Sequence, residues 1–455
     1  MGTRKRRKHK SIAQARTSAQ STAPAKGDPV RRMLRVIAIA YLFVAASYAT
    51  AIPLGKGPDE TAHVRYIEFL ANEHRLPVFN PANPDPDYEF HQPPLYYALA
   101  LPVYALTGGG DSGQQAVRFL TLLLSLALIY LTFHLARLLA EGQPWVAAAA
   151  AGVVAFLPMQ LSVATTIGND ALTEVFAAGV LLLLARYLQT AHQHGAEDAE
   201  RPLPPTAMIG AGVLIGLGLL TKSMAVLLFP VAWVAAWMAA RGNNGYRWGQ
   251  LARDLVLATG IALAIAGWWL ARNQVLYGDP LAQRAFLDAF EGLRPSPQSF
   301  MEQYKVPSVA SYVGQVMIWT MASATGVFGP VSGNRFAFFP YSVYFATGGV
   351  ALTALFGFAR WFERARLPRW QRQAWALCGV FGLLLLASFI RFNFSFFQAQ
   401  ARYLFPALPA AAAAFALGLQ TLFPPRWQTG MLVSVVVLLA VLAFFGLHLW
   451  IAPQF

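Results

Sequence analysis

Long apolar stretches recur along this chain, and polar segments separate them. Each stretch has about 18 or more residues, enough for one helix to cross a hydrocarbon core roughly 30 Å thick. We predict about eleven spans, near residues 33–53, 115–139, 145–166, 171–190, a pair in a tight hairpin around "LLTKSMA", 252–271, 341–361, 374–391, 403–422 and 430–450. The pattern predicts an all-α polytopic membrane protein, since a transmembrane barrel would alternate apolar and polar residues along each strand.

Two longer segments interrupt the spans. The first, residues 54–113, contains "PDETAHVRYIEFLANEHRLPVF", whose imperfect apolar face predicts a helix lying at the membrane surface. The second, roughly residues 273–340, contains the apolar piece "SYVGQVMIWTMASATGVFGPV", which is rich in Gly, Ser and Thr. We predict that this piece is interfacial or re-entrant. A full crossing here would reverse the direction of every later span.

The distribution of charge predicts how the spans are oriented. Only 12% of the residues are charged, whereas soluble proteins carry about 25%, yet the formal net charge is +14. The basic run "RKRRKHK" precedes the first span, and the arginine-rich segment "ARWFERARLPRWQRQ" falls in a predicted loop between two later spans. Since basic residues concentrate on the cytoplasmic side, we predict a cytoplasmic N-terminus and an external first loop. Topology accounts for the positive charge, so no nucleic-acid partner is predicted.

The first 32 residues form a separate unit in this prediction. Their basic, Ser, Ala, Gln and Thr content predicts a disordered cytoplasmic tail for residues 1–32, followed by one transmembrane domain over residues 33–455. The motif "ATA" at residues 49–51 also fits signal-peptidase cleavage, but the long basic region and the long apolar run favour retention of the first span. We predict a multi-pass protein of the cytoplasmic (inner) membrane, with its functional face towards the periplasm or exterior.

Acidic and histidine side chains cluster just after the first span, in "GKGPDETAHVRY". On a helix, Asp59 and Glu60 lie four and three residues from His63, so the three side chains share a face. A carboxylate at a water–lipid boundary can act as a general base. The alternative is that Pro58, Asp59 and Glu60 only begin the helix.

Polar residues also stand next to two other breaks in the apolar pattern. His91 and Gln92 precede the consecutive prolines of "HQPPLYY", where the chain is extended before a helix begins. Anchoring at the interface without chemistry is the alternative for His91. Asn169 and Asp170 lie at the predicted external end of the third span, where Asp170 could instead cap the next helix.

A divalent cation is the one cofactor that these residues predict. On one side the ligand would be Asp59 or Glu60. On the other it would be Asp170 or His91, because carboxylate oxygens and imidazole nitrogens both bind divalent metals. A metal-free base is the alternative. Cys378 is the sole cysteine and lies in an apolar run, so neither a thiolate site nor a disulfide framework is predicted.

Three basic residues stand at predicted external ends of spans, namely Lys222, Arg272 and Arg402, the last followed by Tyr403. Charges at such positions are costly, which makes them candidates for function. A phosphate group is their natural partner, and an arginine can hold one with two parallel hydrogen bonds. The alternative is that each side chain only reaches the phosphates of membrane lipids. No glycine-rich phosphate loop or nucleotide fingerprint occurs in the sequence.

Taken in order, these motifs resemble those of the GT-C superfamily of integral-membrane glycosyltransferases, in particular the protein O-mannosyltransferases and aminoarabinose transferases. The resemblance rests on "PDETAH", "PPLYY", "GND", "TK", "RN…YGDP" and "ARYLFPALP", over residues 35 to about 420. It implies a sugar donor carried on a polyprenyl phosphate and an acid of the first external loop, Asp59 or Glu60, as the catalytic residue. The predicted substrate-binding residues are His63, His91, Gln92, Asn169, Asp170, Lys222, Arg272, Arg402 and Tyr403.

Two other functions share much of this pattern. A transporter or flippase for a lipid-linked substrate would also use an outer cavity with cations, but it requires inverted repeats or paired broken helices, which we do not find. A polymerase or ligase that joins preassembled glycans would share the fold. The acceptor can be a lipid, a glycan or a protein, because no segment matches the soluble domains of the two families named above.

Overall fold

In the computed structural model, which describes residues 29–197, 203–242, 245–332 and 335–455, the chain is built from α-helices and two short hairpins. The first nine helices are α1 (Pro29–Ala51), α2 (Glu60–Glu73), α3 (Leu95–Leu106), α4 (Gly110–Leu139), α5 (Pro144–Phe156), α6 (Pro158–Ala164), α7 (Asp170–Glu197), α8 (Thr206–Leu219) and α9 (Leu228–Ala240). The next eight are α10 (Trp248–Tyr277), α11 (Gln283–Ala289), α12 (Pro297–Gln303), α13 (Val309–Thr325), α14 (Tyr341–Arg364), α15 (Arg369–Ser395), α16 (Leu408–Thr421) and α17 (Pro425–Gly446).

Short elements connect these helices. Both hairpins are antiparallel and pair β1 (Arg241–Gly242) with β2 (Gly245–Tyr246), and β3 (Val327–Ser332) with β4 (Arg335–Phe338). Turns of 3₁₀ or π helix cover Tyr88–His91, Ser223–Leu227, Ala401–Ala407, Leu447–Ile451 and Ala452–Gln454. Residues 1–28 of the predicted basic tail lie outside the described residues, and α1 begins at Pro29.

The helices account for the predicted spans. Nine helices of the described chain are long and apolar enough to cross a membrane, and the bent pair α5–α6 makes a tenth candidate. Helix α8 is apolar but has only 14 residues, and it forms the first arm of the predicted hairpin. Each predicted apolar span therefore coincides with one of these elements, and the all-α membrane architecture predicted from the sequence is confirmed.

The third span is broken rather than straight. Its halves, α5 and α6, meet at an angle of 65°. Pro158 causes the break, because it has no N–H to donate and its ring disfavours a helical conformation at the preceding residue. Leu157 accordingly has an extended backbone, with φ −65° and ψ 120°. Helix α6 then leads into a loop, residues 165–169, which contacts the first loop of the chain through Ile167.

The helices differ in how deeply the bundle encloses them. In the most apolar 18-residue stretch of α7, 78% is buried inside the bundle. In the equivalent stretch of α14, only 11% is buried. Every residue of α5 from Val146 to Phe156 is buried. Helices α5 and α7 therefore form the centre of the bundle, and α14 lies at its periphery, where its apolar side chains suit contact with lipid.

Helices α14 and α16 approach each other through small residues. A side-chain carbon on Gly418 would lie 1.8 Å from the carbonyl oxygen of Ala354, and one on Gly357 would lie 2.2 Å from that of Gly418. Glycines of this kind let the backbones of membrane helices pack together. Because α16 directly follows the turn Ala401–Ala407, this contact also helps to position that turn.

Helix α13, which covers most of the apolar piece in the second long segment, crosses the end of the bundle. The Tyr312 hydroxyl donates to the carbonyl oxygen of Asn393 at 2.5 Å, and the Ser323 hydroxyl donates to that of Ala399 at 3.3 Å. Both partners lie at the C-terminal end of α15 or just beyond it. Tyr312 and Ser323, which are eleven residues apart on α13, thus both contact the same end of α15. This agrees with a helix that lies at the membrane interface.

Candidate active site

The first long loop, predicted to be external, meets the bundle at Gly57. A side-chain carbon at this position would lie 2.3 Å from the hydroxyl oxygen of Thr166, so a larger residue would clash here. Asp59 follows with a left-handed backbone, φ 56°, and α2 begins at Glu60. Both acids are thereby placed near the connection between α6 and α7. Although they are adjacent in sequence, their surroundings differ completely.

Glu60 is enclosed and forms a structural ion pair. Arg118 of α4 donates two hydrogen bonds to it, from Nε to Oε1 at 2.7 Å and from Nη2 to Oε2 at 2.6 Å. The backbone N–H groups of Gly57 and Ile167 donate to the same carboxylate at 3.1 and 3.2 Å. Only 1% of Glu60 is exposed, so neither an acceptor nor a cation can reach it. This geometry does not support the predicted roles of Glu60 as a base or a metal ligand.

Replacing Glu60 by glutamine should destabilise the protein strongly. The change leaves the guanidinium of Arg118 buried without its counter-charge, and breaking such a pair costs about 3–5 kcal/mol. We expect a lower thermal unfolding temperature in detergent. Asp87→Asn is the matched control, because Asp87 pairs with Arg65 at 2.6 Å at the surface, where the two side chains are 37% and 44% exposed. Equal unfolding temperatures for the two variants would contradict the structural role of Glu60.

Four charged side chains meet at this end of the bundle, and we call Asp59, Asp170, Lys222 and Arg402 the charged cluster. Arg402 bridges the two carboxylates, because Nη1 donates to Asp170 Oδ2 at 2.9 Å and Nη2 donates to Asp59 Oδ2. Lys222 Nζ donates to the other Asp170 oxygen, Oδ1. The side chain of Arg402 is 3% exposed, whereas that of Asp59 is 33% exposed. The cluster is therefore a balanced network of two anions and two cations that opens to solvent at Asp59.

Asp59 is held in its ionised form. Desolvation raises the pKa of Asp59, but the charge and the hydrogen bond of Arg402 outweigh it and keep that pKa below its usual value. The Tyr88 hydroxyl donates a further hydrogen bond to Asp59 Oδ1 at 3.2 Å. While Arg402 is bound to it, Asp59 is a weak base. Without that charge the pKa of Asp59 would be higher, and Asp59 would be a stronger base.

Tyr403 lies against both cations of the cluster. Its ring centre is 5.0 Å from the guanidinium carbon of Arg402 and 6.0 Å from Lys222 Nζ. Aromatic faces attract cations at such distances. Two cations beside one ring suit an anion with several oxygens, such as a phosphate. The structure thus brings Lys222, Arg402 and Tyr403 together.

Arg272, the third predicted cation, makes its contacts elsewhere. Its Nη2 donates to the carbonyl oxygen of Pro77 at 2.6 Å, and its guanidinium lies 4.8 Å from the ring centre of Trp269. Within the part of the chain that the structure describes, no hydrogen bond or ion pair joins Arg272 to the charged cluster. The contacts therefore do not support one phosphate site made by three cations.

Two predicted histidines are neutral and already engaged. Burial lowers the pKa of His63 to about 4, and its Nδ1 lies 2.7 Å from the Tyr97 hydroxyl. Burial also lowers the pKa of His91 to about 4. His91 Nδ1 donates to the Tyr88 carbonyl oxygen at 2.6 Å, and its Nε2 lies 3.2 Å from the side-chain nitrogen of Gln92. These histidines can shape the wall of the site, but they carry no charge at neutral pH.

Two predicted amide side chains join the loops that surround the cluster. Asn169 Nδ2 donates to Gln92 Oε1 at 3.1 Å and to the carbonyl oxygen of Thr221 at 2.9 Å. Gln92 belongs to the first long loop, Asn169 directly precedes α7, and Thr221 follows the end of α8. The link holds Asp170 and Lys222, which are their sequence neighbours, in fixed positions.

The predicted metal ligands do not come together. Among the described residues, no group of three or more His, Cys, Asp and Glu side chains is placed to hold a metal ion. Both carboxylate oxygens of Glu60 accept hydrogen bonds from Arg118, and both ring nitrogens of His91 have partners. The carboxylates of Asp59 and Asp170 share Arg402 instead. The four candidate ligands therefore do not fit a divalent cation in this arrangement.

Glu89 is a site residue that the sequence analysis missed. It is 6% exposed, and its Oε2 has no hydrogen-bond partner among the described residues. Burial raises the pKa of Glu89 to about 8; the charge of Asp59 acts in the same direction, whereas Lys222 and Arg402 oppose it. Glu89 is thus mostly protonated at pH 7 and can donate a hydrogen bond to a bound oxygen. The available signal was an acid between two aromatic residues, in "YEFH".

One family model matches part of this chain. It is described as dolichyl-phosphate-mannose-protein mannosyltransferase, and it matches residues 91–269. This segment includes Asp170 and Lys222 but neither Asp59 nor Arg402. No curated protein matches the chain.

Solved structures of similar fold cover most of the chain. The oligosaccharyltransferase of Archaeoglobus fulgidus in its apo form has 15% identity and a TM-score of 0.56, with 94% of this chain and 56% of that chain covered. ArnT from Cupriavidus metallidurans in the apo state has 18% identity and a TM-score of 0.52, with 89% and 62% covered. ArnT bound to undecaprenyl phosphate has 17% identity and a TM-score of 0.51, with 89% and 63% covered.

The chain therefore spans 56–63% of the length of these proteins. At such identities the likeness shows the fold alone. That shared fold confirms the membrane architecture predicted from the sequence.

Proposed function

We propose that this chain, which has the GT-C fold of those membrane transferases, transfers a hexosyl or pentosyl group from a polyprenyl-phosphate donor to an acceptor hydroxyl. The observation that carries the proposal is Arg402, which is buried and bridges Asp59 and Asp170 beside Lys222. A buried cation that is shared between two carboxylates can exchange one of them, here the partly exposed Asp59, for an incoming phosphate. We further propose that residues 33–455 form the transferase domain.

The donor phosphate is proposed to bind to Arg402 and Lys222. A lipid-linked sugar keeps its tail in the bilayer and its phosphate at the interface, which is where loops follow the ends of the spans. ArnT is known in complex with undecaprenyl phosphate, and the A. fulgidus oligosaccharyltransferase in complex with dolichol-phosphate. Charge-assisted hydrogen bonds from a guanidinium to phosphate are among the stronger polar contacts.

Binding of the phosphate is proposed to activate Asp59. As Arg402 turns to the phosphate, Asp59 loses the charge that depresses its pKa and becomes able to accept a proton. Asp59 then takes the proton of the acceptor hydroxyl, and the acceptor oxygen forms a bond to the anomeric carbon. The bond between that carbon and the phosphate oxygen breaks, and its electron pair leaves with the polyprenyl phosphate. Arg402 and Lys222 stabilise this charge as it develops, and a single displacement inverts the anomeric centre.

Affinity for the donor phosphate should fall as the pH rises through about 8. Glu89, whose pKa is about 8, is neutral below that pH and adds a negative charge beside the cations above it. Asp59 and Asp170 are the other acids of the site, and Lys222 and Arg402 are its cations. Binding of a polyprenyl-phosphate sugar, whose phosphodiester keeps a single negative charge over this range, is measured between pH 6.5 and 9. Glu89→Gln should remove the pH dependence, whereas Glu73→Gln, at an exposed position of the same loop, should retain it. An unchanged profile in Glu89→Gln would contradict this account.

The proposed reaction lies at the outer face of the cytoplasmic membrane. The charged cluster sits at one end of the bundle, and the arginine-rich segment between α14 and α15 lies at the other end, since α15 separates the two. Basic loops concentrate on the cytoplasmic side, which supports an outer location for the cluster. Lipids, glycans and proteins with accessible hydroxyl groups are the proposed acceptors there.

Two alternatives each have one observation in their favour. The bent pair α5–α6 is the kind of broken helix that transporters use, although they use such helices in pairs. The oligosaccharyltransferase likeness agrees with a ligase that moves a preassembled glycan. The assay for the proposed function distinguishes both alternatives from the transferase.

The test uses purified protein in nanodiscs, polyprenyl-monophosphate donors with radiolabelled sugars, and membrane extract as the source of acceptors. We expect transfer of label to a lipid, glycan or protein, together with release of polyprenyl phosphate. In proteoliposomes, movement of the intact donor between leaflets without cleavage would point to a flippase. Cleavage only of donors that carry oligosaccharides would point to a ligase. No cleavage of any donor would overturn the transferase assignment.

A further inference from the structure

The end of the bundle opposite to the charged cluster has a pocket of its own. Helix α15 contributes to the pocket with its first residues, and the turn that holds Arg402 follows its last. The 27 residues of α15 extend about 40 Å, at 1.5 Å per residue. That length matches a bilayer with its headgroup regions, about 40–45 Å. The pocket therefore lies at headgroup level in the leaflet opposite to the charged cluster.

The pocket combines two cations with an apolar wall. Its volume is about 490 Å³, and its lining residues are Met238, Leu367, Arg369, Arg372, Gln373 and Ala376. Met238 belongs to the last turns of α9, Leu367 to the loop before α15, and the other four to the first turns of α15. No acidic side chain contributes to this lining.

Neither arginine of the pocket is neutralised. Arg369 and Arg372 are exposed, and neither guanidinium has an ion pair or hydrogen bond within the described part of the chain. They are three residues apart at the start of α15, so they share one face of that helix. Two adjacent, unpaired guanidinium groups favour an anion that can accept several hydrogen bonds.

An aromatic group next to the pocket marks the depth of the headgroups. The ring centres of Trp361 and Trp375 are 6.1 Å apart, and that of Phe358 lies 4.9 Å from Trp375. The indole N–H of Trp375 donates to the carbonyl oxygen of Leu139, the last residue of α4. Tryptophans are enriched at membrane interfaces, where one part of the ring is in contact with lipid and its N–H finds a polar partner.

We propose that this pocket binds an anionic phospholipid. The headgroup phosphate is held between Arg369 and Arg372, the amide of Gln373 donates to a headgroup oxygen, and an acyl chain follows Met238 and Ala376 into the bilayer. Basic pockets between membrane helices are suited to phosphorylated headgroups. A zwitterionic headgroup fits less well, because its cation would face this arginine-rich surface. The inference does not depend on the proposed transferase function, since neither arginine belongs to the charged cluster.

The test compares lipid binding to the full chain by native mass spectrometry after purification in detergent. The probes are short-chain phosphatidylglycerol, phosphatidylcholine of the same chain length, and inorganic phosphate. We expect the wild type to bind phosphatidylglycerol more tightly than phosphatidylcholine. Arg369→Gln combined with Arg372→Gln should weaken binding of phosphatidylglycerol about 30-fold, which corresponds to about 1 kcal/mol per arginine. The matched control combines Arg364→Gln with Arg426→Gln, two exposed arginines that do not line the pocket.

The outcomes separate a lipid site from general attraction. Loss of binding in the Arg369 and Arg372 variant alone, with an unfolding temperature equal to that of the control, supports the proposal. Equal losses in both double variants would show an effect of overall charge and would overturn it. Equal affinity of the wild type for the two lipids would also overturn it. Competition by inorganic phosphate as strong as by phosphatidylglycerol would show a free-anion site without a lipid tail.

Discussion

Replacing Arg402 by methionine should lower the single-turnover rate of sugar transfer by about 10²–10³-fold, the usual effect of losing one group that stabilises developing charge. Among the described residues, Arg402 alone is hydrogen-bonded to both Asp59 and Asp170, and it is nearly inaccessible to solvent. In the variant the leaving phosphate retains only Lys222, whereas Asp59 is free of Arg402 whether or not the donor is bound. Methionine preserves much of the length of the side chain without its charge. Rapid-quench measurement of polyprenyl-phosphate release, at saturating donor, reports the loss.

Arg272→Met is the matched control for this substitution. Arg272 is also a partly buried arginine at the end of a span, but its hydrogen bond goes to Pro77 and its guanidinium packs on Trp269. We therefore expect a rate much closer to that of the wild type. Arg402→Lys should recover part of the lost rate, because one cation remains but cannot bridge both carboxylates. Equal effects of the methionine substitutions at residues 402 and 272 would remove Arg402 from the phosphate site.

Replacing Asp59 by asparagine should lower the rate of transfer by about 10²–10⁴-fold, the usual effect of losing a general base. The two side chains have similar shapes, but the amide cannot accept the proton of the acceptor. Arg402 loses one of its two carboxylate partners and keeps the other, Asp170. Binding of polyprenyl phosphate should therefore be retained or strengthened, since Asp59 no longer competes for Arg402. The measurement pairs the single-turnover rate with the affinity for polyprenyl phosphate.

The substitutions of two neighbouring acids distinguish catalysis from folding. Asp59→Asn should retain the unfolding temperature while losing rate, because a third of the Asp59 side chain is exposed. Glu60→Gln should mainly lower the unfolding temperature, because Glu60 forms a buried ion pair with Arg118. Asp87→Asn, in the same loop, should change neither. A near-normal rate for Asp59→Asn would show that Asp59 is not the general base.

The sequence by itself determined the architecture, because the cost of placing a polar backbone in lipid acts on each segment locally. A span needs only enough consecutive apolar residues, so its position was readable without knowledge of its neighbours. The break of the third span at Pro158 also has a local cause, although the sequence analysis predicted a single span over 145–166. Charged residues at span ends, such as Lys222 and Arg402, were also recognisable. Placing any one charge in or near the membrane costs free energy, whatever its neighbours are.

Only the tertiary structure decided which charges meet. Asp59 and Glu60 are adjacent, yet Asp59 pairs with Arg402 and Glu60 pairs with Arg118. Arg402 lies in the turn Ala401–Ala407 and Arg118 in α4, both far away in the sequence. Arg118 was missed, although a charge inside the predicted span 115–139 was a usable signal. The burial of Glu89 was not readable, since it depends on tertiary packing. Rotation of each helix about its axis sets these contacts, and that rotation results from packing among all the helices together rather than from any one segment.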